Sequence, residues 1–357
     1  MDISLEKPLS EDLGTAETLL AFAHDARATD IHLQPFQKEG RVRLRVDGFF
    51  KELGGLDRPD FERMVGRIRV LAHLPSYESF RPQEGRIDSD ASGIPAEIRV
   101  SIIPTVSGEK VVLRLLRLDS SVMELDELGL GPEVLQRFKD VARWRSGMIL
   151  ICGPSGSGKT TTLYALIRHL MRVHCQDWQF VSVEDPVERR IPGMTQVEVK
   201  PQYDLGFPTA LKYLLRQDPE VIMVGEIRDA ETASVAVQSA YTGHLVLSTM
   251  HVGHAHEAVL RFQKMGIEAY QLGPALRLLF TQRLLRRKCG ACRTGCGQCD
   301  HTGYLGLVPV GEFFAPSDFP VQDLSVEAKP AGRLEEAARR LEKEGITTDE
   351  EIHRVLE

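Results

Sequence analysis

No run of apolar residues approaches the ~18 needed to cross a bilayer, so the sequence contains nothing that reads as a membrane span. Basic residues are in deficit: 44 Lys+Arg against 51 Asp+Glu leave a formal net charge of −7. Proteins that grip phosphate backbones usually carry a basic excess, so nucleic acid is not expected as the principal partner. The opening residues, MDISLEKPLSEDLG, lack a basic start followed by an apolar stretch, so no secretory signal is expected. Cysteine is scarce, and four of the six crowd into residues 289–299. Such crowding is no disulfide framework; it fits a reducing compartment and a metal site. Internal repeats and long low-complexity tracts are absent too. The 357 residues are otherwise ordinary, 42% hydrophobic and 27% charged. They suffice for two or three domains of roughly 100–200 residues each, and any membrane role must go through a partner.

Residues 1–118 read as an α+β domain. Residues 15–29 form a helix with Leu19, Leu20, Phe22 and Ala23 on one side. In RVRLRVDG, Arg41, Arg43 and Arg45 alternate with Val42, Leu44 and Val46, which places the arginines on one face of a strand. Asp47-Gly48 signals a hairpin. A helix follows at 60–74, then strands near 96–103 and 110–117 with Ser107-Gly108 as the turn. Residues 119–131 hold no sustained period and read as a linker. From 132 to 315, short apolar runs (MILIC, FVSVE, VIMVG, LVLST) alternate with helical segments. That pattern predicts an α/β fold around a parallel sheet buried on both faces. Residues 316–357 read as a helical tail. Leu334, Ala337, Ala338 and Leu341 form an apolar stripe, Gly345 stops that helix, and Thr348 with Glu351 forms a capping box for the next.

Gly153, Pro154, Ser155, Gly156, Ser157, Gly158, Lys159 and Thr160 fit G-x-x-x-x-G-K-T, followed by Thr161. A loop that wraps a triphosphate must present backbone N–H groups inward, and glycine clears the approach. A strand precedes this loop and a helix follows, whose N-terminal end adds positive potential. Lys159 is expected to reach the β- and γ-phosphates of ATP and Thr160 to ligate Mg²⁺. Two acidic strand ends follow: Glu184, Asp185 and Glu188 in FVSVEDPVE, and Glu226 and Asp229 in VIMVGEIRD. Carboxylates at the C-terminal ends of parallel strands face the ligand crevice. One of them should hold Mg²⁺ and another should orient or deprotonate the attacking water. Asp229 reads instead as a partner of Arg228. His244 and His251 bracket the strand LVLSTM, which suggests that both sense the nucleotide.

In this order, GPSGSGKTTTLYALIRHL, VSVEDPVE, LRQDPEVIMVGEIRDAETA and TGHLVLSTMH resemble the type II secretion and type IV pilus assembly ATPases. ATDIHLQPF, RVRLRVDG, RPQEGRI and RVSIIPTVSGEKVVLRLL are similar to that family's second domain, so the resemblance covers roughly residues 15–315. The family's extra N-terminal recruitment domain has no counterpart in these residues. Length, cysteine cluster and tail look most like the competence pilus ATPases of Gram-positive bacteria. The resemblance implies a RecA-like P-loop domain after a smaller, PAS-like domain. It implies an ATPase motor, a homohexamer at the cytoplasmic face of the membrane, working through a polytopic inner-membrane platform protein and, indirectly, pilins or pseudopilins. Glu188 stands at the family's catalytic glutamate, Glu226 at the Walker B position where it serves Mg²⁺, and His244 and His251 in the histidine box. Arg45 and Arg86 match arginines that the family directs at ATP phosphates. Two positions depart: Phe80 stands where the family commonly has arginine, with Arg81 beside it, and Val252-Gly253 follows His251 in place of Thr-Asn.

Cys289, Cys292, Cys296 and Cys299 make two C-x-x-C knuckles, the number of ligands that tetrahedral zinc takes. Family members carry two such pairs around a longer loop. Bare thiols and an iron–sulfur cluster are the alternatives, although the spacing departs from the usual iron–sulfur run. Cys152 and Cys175 read as packed, inert residues. For the chain as a whole, the rival readings are a nucleic-acid translocase on the same nucleotide core and a non-motor, nucleotide-dependent scaffold.

Overall fold

The computed structural model describes residues 9, 11–77, 80–117, 123–174, 177–292, 294–299, 301–314 and 333–356. The chain divides into two compact units, Met1–Ser121 and Val122–Glu357. Cys175 and most of the start of the expected linker lie outside the described residues.

The first unit begins with α1 (Ala16–Asp25), whose N-terminus is closed by the Thr15 side chain accepting from Thr18 N–H. It buries Ala16, Leu19, Leu20 and Ala23, whereas Phe22 is exposed. Strands β1 (Asp30–Pro35), β2 (Glu39–Val46) and β3 (Phe49–Asp57) form an antiparallel meander. Its tight turn is Asp47-Gly48, and both residues have positive φ (48° and 85°), as a two-residue hairpin with native twist requires. After α2 (Arg58–Leu71), capped by Asp57, come β4 (Gln83–Ile87), the short α3 (Ser89–Ser92), β5 (Ala96–Thr105) and β6 (Gly108–Arg117). Thr105 pairs with Gly108, so the turn is Val106-Ser107, one residue earlier than the expected Ser107-Gly108. The strands assemble into a six-stranded sheet in the order β3-β2-β1-β6-β5-β4.

Period two sorts that sheet into two faces. Ile31, Leu33, Val42, Leu44, Val100, Ile102, Val111 and Leu113 form one core with residues of α1 and α2. The opposite face is polar. Register places Arg45 opposite Asp30, Asp30 opposite Arg114, Arg114 opposite Arg99 and Arg99 opposite Arg86. Directly paired residues share a face, so these arginines make one row. The row crosses four strand steps, about 19 Å at ~4.8 Å per step.

The second unit opens with residues read as linker, and these join its core. Leu125 and Leu128 are buried among side chains of the helix α5 (Lys159–His174), and Glu124 pairs with Arg168 and Arg172. Then come α4 (Pro132–Asp140), β7 (Gly147–Cys152), α5, β8 (Phe180–Glu184), β9 (Thr195–Glu198), α6 (Phe207–Leu214), β10 (Val221–Val224), α7 (Ala230–Tyr241) and β11 (Leu245–Met250). They are followed by α8 (Ala255–Lys264), α9 (Ala269–Ala275), β12 (Leu276–Lys288) and β13 (Tyr304–Phe314). The seven-stranded sheet runs β13-β12-β7-β11-β10-β8-β9, parallel except for the β12–β13 pair. β7, β8, β10 and β11 are buried on both faces, which is why they read as unbroken apolar runs.

The tail helices α10 (Arg333–Lys343) and α11 (Asp349–Leu356) pack on β12 and β13 through Leu334, Ala338, Ile352, Leu285, Val308 and Val310. Ala337 and Leu341 complete the expected stripe. Gly345 takes φ 74° after α10. Only half of the expected capping box forms. Thr348 Oγ1 accepts Glu351 N–H at 3.2 Å, but the fully buried Glu351 carboxylate turns to Arg286 and Arg354 instead.

Candidate nucleotide site

β7 delivers the phosphate loop at its C-terminal end, between β11 and β12. Its glycines have different causes. Gly156 has φ 76° and open space around it, so it supplies backbone conformation alone. A Cβ on Gly153 would lie 2.5 Å from the carbonyl oxygen of Gln282, and one on Gly158 would lie 2.8 Å from Gln282 Nε2. Those two glycines therefore admit β12 as well as a phosphate. Gln282, 1% exposed, donates from Nε2 to Ser157 O at 2.7 Å and accepts from Thr162 Oγ1 at 2.8 Å. Sequence reasoning missed both partners. The signal was a glutamine in mid-strand, LLFTQRLL, where only apolar residues are expected.

Lys159 is buried, and its Nζ donates to Gly153 O at 3.0 Å and Pro154 O at 2.8 Å. Burial brings its pKa down from the usual 10.5 to about 8, against the pull of Glu226 and Glu188. The Lys159 Nζ also lies 3.3 Å from Nδ1 of His251, which follows β11. The Nε2 of that ring lies 3.7 Å from Glu226, just beyond β10. Partial burial and the Lys159 charge lower the His251 pKa, which favours the neutral ring. Glu226 Oε1 pairs with Arg228 at 2.5 Å, while its buried Oε2 accepts no hydrogen bond. Ser157 Oγ is a second buried polar atom without a hydrogen bond. Buried polar atoms left unmet at the mouth of a glycine loop mark a place for a ligand or ion. The donor set of Thr160 hydroxyl and Glu226 carboxylate suits the hard cation Mg²⁺. Glu188 is exposed on the loop after β8, close enough for its charge to act on Lys159.

Three expected roles change. Glu184 is 2% exposed, and both its oxygens are already engaged. Oε2 accepts from Tyr164 OH, and Oε1 accepts from Ser182 Oγ at 2.5 Å and Gln196 Nε2 at 3.0 Å. It braces α5, β8 and β9 and is not free to bind nucleotide. Gln196 also holds Ile191 N–H and Arg189 O, fixing the loop that follows Glu188. His244 stands at the opposite end of β11 from His251, about 23 Å away over seven residue steps at ~3.3 Å each. Its Nδ1 bonds Ser239 O at 3.1 Å, and its carbonyl accepts Gly147 N–H at the far end of β7. Bracketing a strand separates two residues by the length of that strand, so His244 is not part of the phosphate site of its own chain. Asp229 does not pair with Arg228; it caps α7 by accepting from Thr232 N and Oγ1, both at 2.8 Å.

In the first unit, Arg45 donates to Gly48 O at 2.9 Å, lies over the Phe50 ring at 4.1 Å and reaches Asp30 at 3.8 Å. Asp30 also takes Arg114 at 3.0 Å. Arg86, at the other end of the row, is 3.7 Å from Glu97. Among the described residues, Phe80 is 92% exposed and Arg81 is exposed beside it.

The four sulfur atoms of Cys289, Cys292, Cys296 and Cys299 lie within 4.8 Å of one another. Cys289–Cys296, Cys292–Cys299 and Cys296–Cys299 are separated by 3.9, 3.6 and 3.8 Å. Ligands ~2.3 Å from zinc at tetrahedral angles are about 3.8 Å apart. The spacing therefore fits one zinc ion, and the thiols are not disulfide-bonded. Cys152 is fully buried in the core, and burial pushes its thiol pKa up, as expected of an inert residue.

The family model described as type II/IV secretion system protein matches residues 8–353. The chain is 41% identical to the type II secretion system protein HxcR of Pseudomonas aeruginosa, with 94% of this chain and 76% of that one covered. It is 37% identical to the type IV pilus assembly ATPase PilB of Thermus thermophilus, across 93% of this chain and 41% of that protein. The X-ray structure of the Legionella pneumophila ATPase DotB superposes with a TM-score of 0.73 at 18% identity, covering 98% of this chain and 96% of that one, a likeness of fold.

Proposed function

Because the chain belongs to the type II/IV secretion system protein family, we propose that it is the ATP-hydrolysing motor for assembly of a type IV pilus or type II secretion pseudopilus. The observation that carries this reading is the contact chain Lys159–His251–Glu226 at the mouth of the glycine loop, which ends on a buried, unmet carboxylate oxygen. Residues 153–161 would cradle the phosphates of ATP. Thr160 and Glu226 would hold Mg²⁺, which supplies charge neutralisation of the β- and γ-oxygens. Lys159 would leave its loop carbonyls for those oxygens. Glu188 would take the proton of the attacking water. His251, touching both Lys159 and Glu226, would report the state of the site to the following loop. HxcR and PilB are named for secretion and pilus assembly, and those names do not extend to competence.

The arginine row supports a further part of this reading. Arg45 and Arg86 would close on the γ-phosphate, as guanidinium forks suit spread anionic charge. Docking of the first unit onto nucleotide, and its release after hydrolysis, would convert chemistry into movement. A homohexamer would carry that movement to a polytopic inner-membrane platform protein, and through it to pilins or pseudopilins. The motor would work at the cytoplasmic face through that partner; among the described residues no helix is long and apolar enough to cross a membrane. The decisive experiment measures nucleotide binding and turnover together. Lys159→Ala should lose both. Glu188→Gln should keep ATP binding while turnover falls by about 10²–10⁴-fold, and DNA should not stimulate the wild type. Undiminished turnover in Glu188→Gln would remove it as the base, and full pilus assembly with Lys159→Ala would remove the motor reading altogether.

A further inference from the structure

The amide of Gln282 holds one peptide of the phosphate loop from behind. Its Nε2 donates to Ser157 O at 2.7 Å. A trans peptide is planar, and its C=O and N–H point in opposite directions. With Ser157 C=O drawn toward β12, the N–H of Gly158 points the other way, to the side of the loop where a bound phosphate would lie. The Ser157 carbonyl, which can only accept, sets the sense of the amide: a flipped side chain would bring Gln282 Oε1 against that oxygen. Thr162 Oγ1 donates to Gln282 Oε1 at 2.8 Å and holds the amide in place from its other end. Gln282 and Thr162 are each 1% exposed, so water does not compete. Gly158 makes room for this arrangement, since a Cβ there would lie 2.8 Å from Gln282 Nε2.

We propose that Gln282, locked by Thr162, is a positioning residue for nucleotide affinity: it presets the Ser157–Gly158 peptide so that Gly158 N–H faces the phosphates before ATP arrives. This extends the nucleotide-site reading and rests on it. A preset donor binds triphosphate and diphosphate alike and pays no reorganisation on binding. Losing it should therefore raise Kd and KM while leaving kcat largely alone.

The test compares Gln282→Met, Thr162→Val, Thr162→Ser and the Gln282→Met/Thr162→Val pair in the full chain. ATP and ADP affinities are read by displacement of a fluorescent nucleotide, beside steady-state kcat and KM and the unfolding midpoint without nucleotide. Gln282→Met should weaken both nucleotides about tenfold, with kcat within about threefold. Thr162→Val should weaken them about threefold, Thr162→Ser should bind as wild type, and adding Thr162→Val to Gln282→Met should cost nothing further. Folded Gln282→Met that binds normally, or additive losses in the pair, would overturn the proposal and leave Gln282 a simple core brace. Should Gln282→Met fail to fold, Thr162→Val against Thr162→Ser decides: equal affinities overturn it. Lys159→Ala is the control. If that variant binds nucleotide like wild type, the loop reading falls and this inference falls with it; if only Lys159→Ala loses binding, this inference alone is wrong.

Discussion

Nζ of Lys159 and Nδ1 of His251 lie 3.3 Å apart, although the two residues are separated by most of the nucleotide-binding sheet in sequence. The contact exists because β7 and β11 are parallel neighbours and each delivers its residue at the same edge. It places an imidazole within reach of both the lysine and Glu226.

Nucleotide binding should take up a proton above neutrality. Burial holds Lys159 at about 8 in the free protein. Phosphate charge favours the ammonium and raises that value on binding. Affinity should then fall as pH rises through 8 and beyond, up to the pKa of the bound form. Calorimetry at pH 8.5 in buffers of different ionisation enthalpy should show uptake of a fraction of a proton per site; none in wild type would contradict the assignment.

The two histidines should separate cleanly. His251→Ala should lower turnover by about tenfold or more, since it removes a group touching both Lys159 and Glu226. His244→Ala should leave the ATP affinity of the monomeric chain within about twofold, because its ring is tied to Ser239 at the other end of β11. A large loss of monomer affinity in His244→Ala would show that the strand geometry has been misjudged.

The purified chain should carry one zinc ion. Thiolate is the binding form; the amide N–H groups of Cys296 and Gly303 lower the Cys299 pKa in spite of desolvation, while desolvation and the neighbouring thiols raise that of Cys292. Metal analysis of wild type against Cys292→Ser/Cys299→Ser should read about one ion against none. The unfolding midpoint should drop on the order of 5 °C. ATP affinity should be retained, as the cluster takes no part in phosphate contacts.

Glu351 should be a stability residue with no catalytic effect. Its buried carboxylate accepts Arg286 N–H and Nε, both at 2.9 Å, and Arg354 Nε at 2.8 Å. Despite the cost of burial, Arg354 and Arg286 hold its pKa below the usual 4.5. A depressed carboxylate stabilises the fold above the unfolded pKa, and that contribution is lost as pH falls below 4.5 through the folded value. Glu351→Ala takes the carboxylate from half-buried Arg286 and from Arg354 and should cost about 2–3 kcal/mol, measured by denaturant unfolding at pH 7. At pH 3 the difference from wild type should shrink.

The parts of the fold set by local pattern were legible in advance. The alternation in RVRLRV, the Asp47-Gly48 turn and the unbroken apolar runs of the parallel strands each follow from near-neighbour geometry. So did the phosphate loop, whose glycines and lysine are consecutive. β4 and the half-formed cap at Thr348 were not legible. QEGRI alternates too weakly to announce a strand, and the pull of Arg286 on Glu351 comes from a residue 65 positions away.

The order of residues along the chain determined which atoms could meet a phosphate, because a loop, a strand end and a pair of knuckles are built from adjacent positions. Which of them do meet was decided by the folding of the sheet. Parallel pairing sends His251 and Glu226 to the edge where Lys159 waits and leaves His244 a strand's length behind. Closure of β12 beside β7 sets Gln282 under the glycines, and burial turns Glu184 into a brace. Side-chain partners across a sheet depend on register and depth, quantities that no stretch of sequence carries alone.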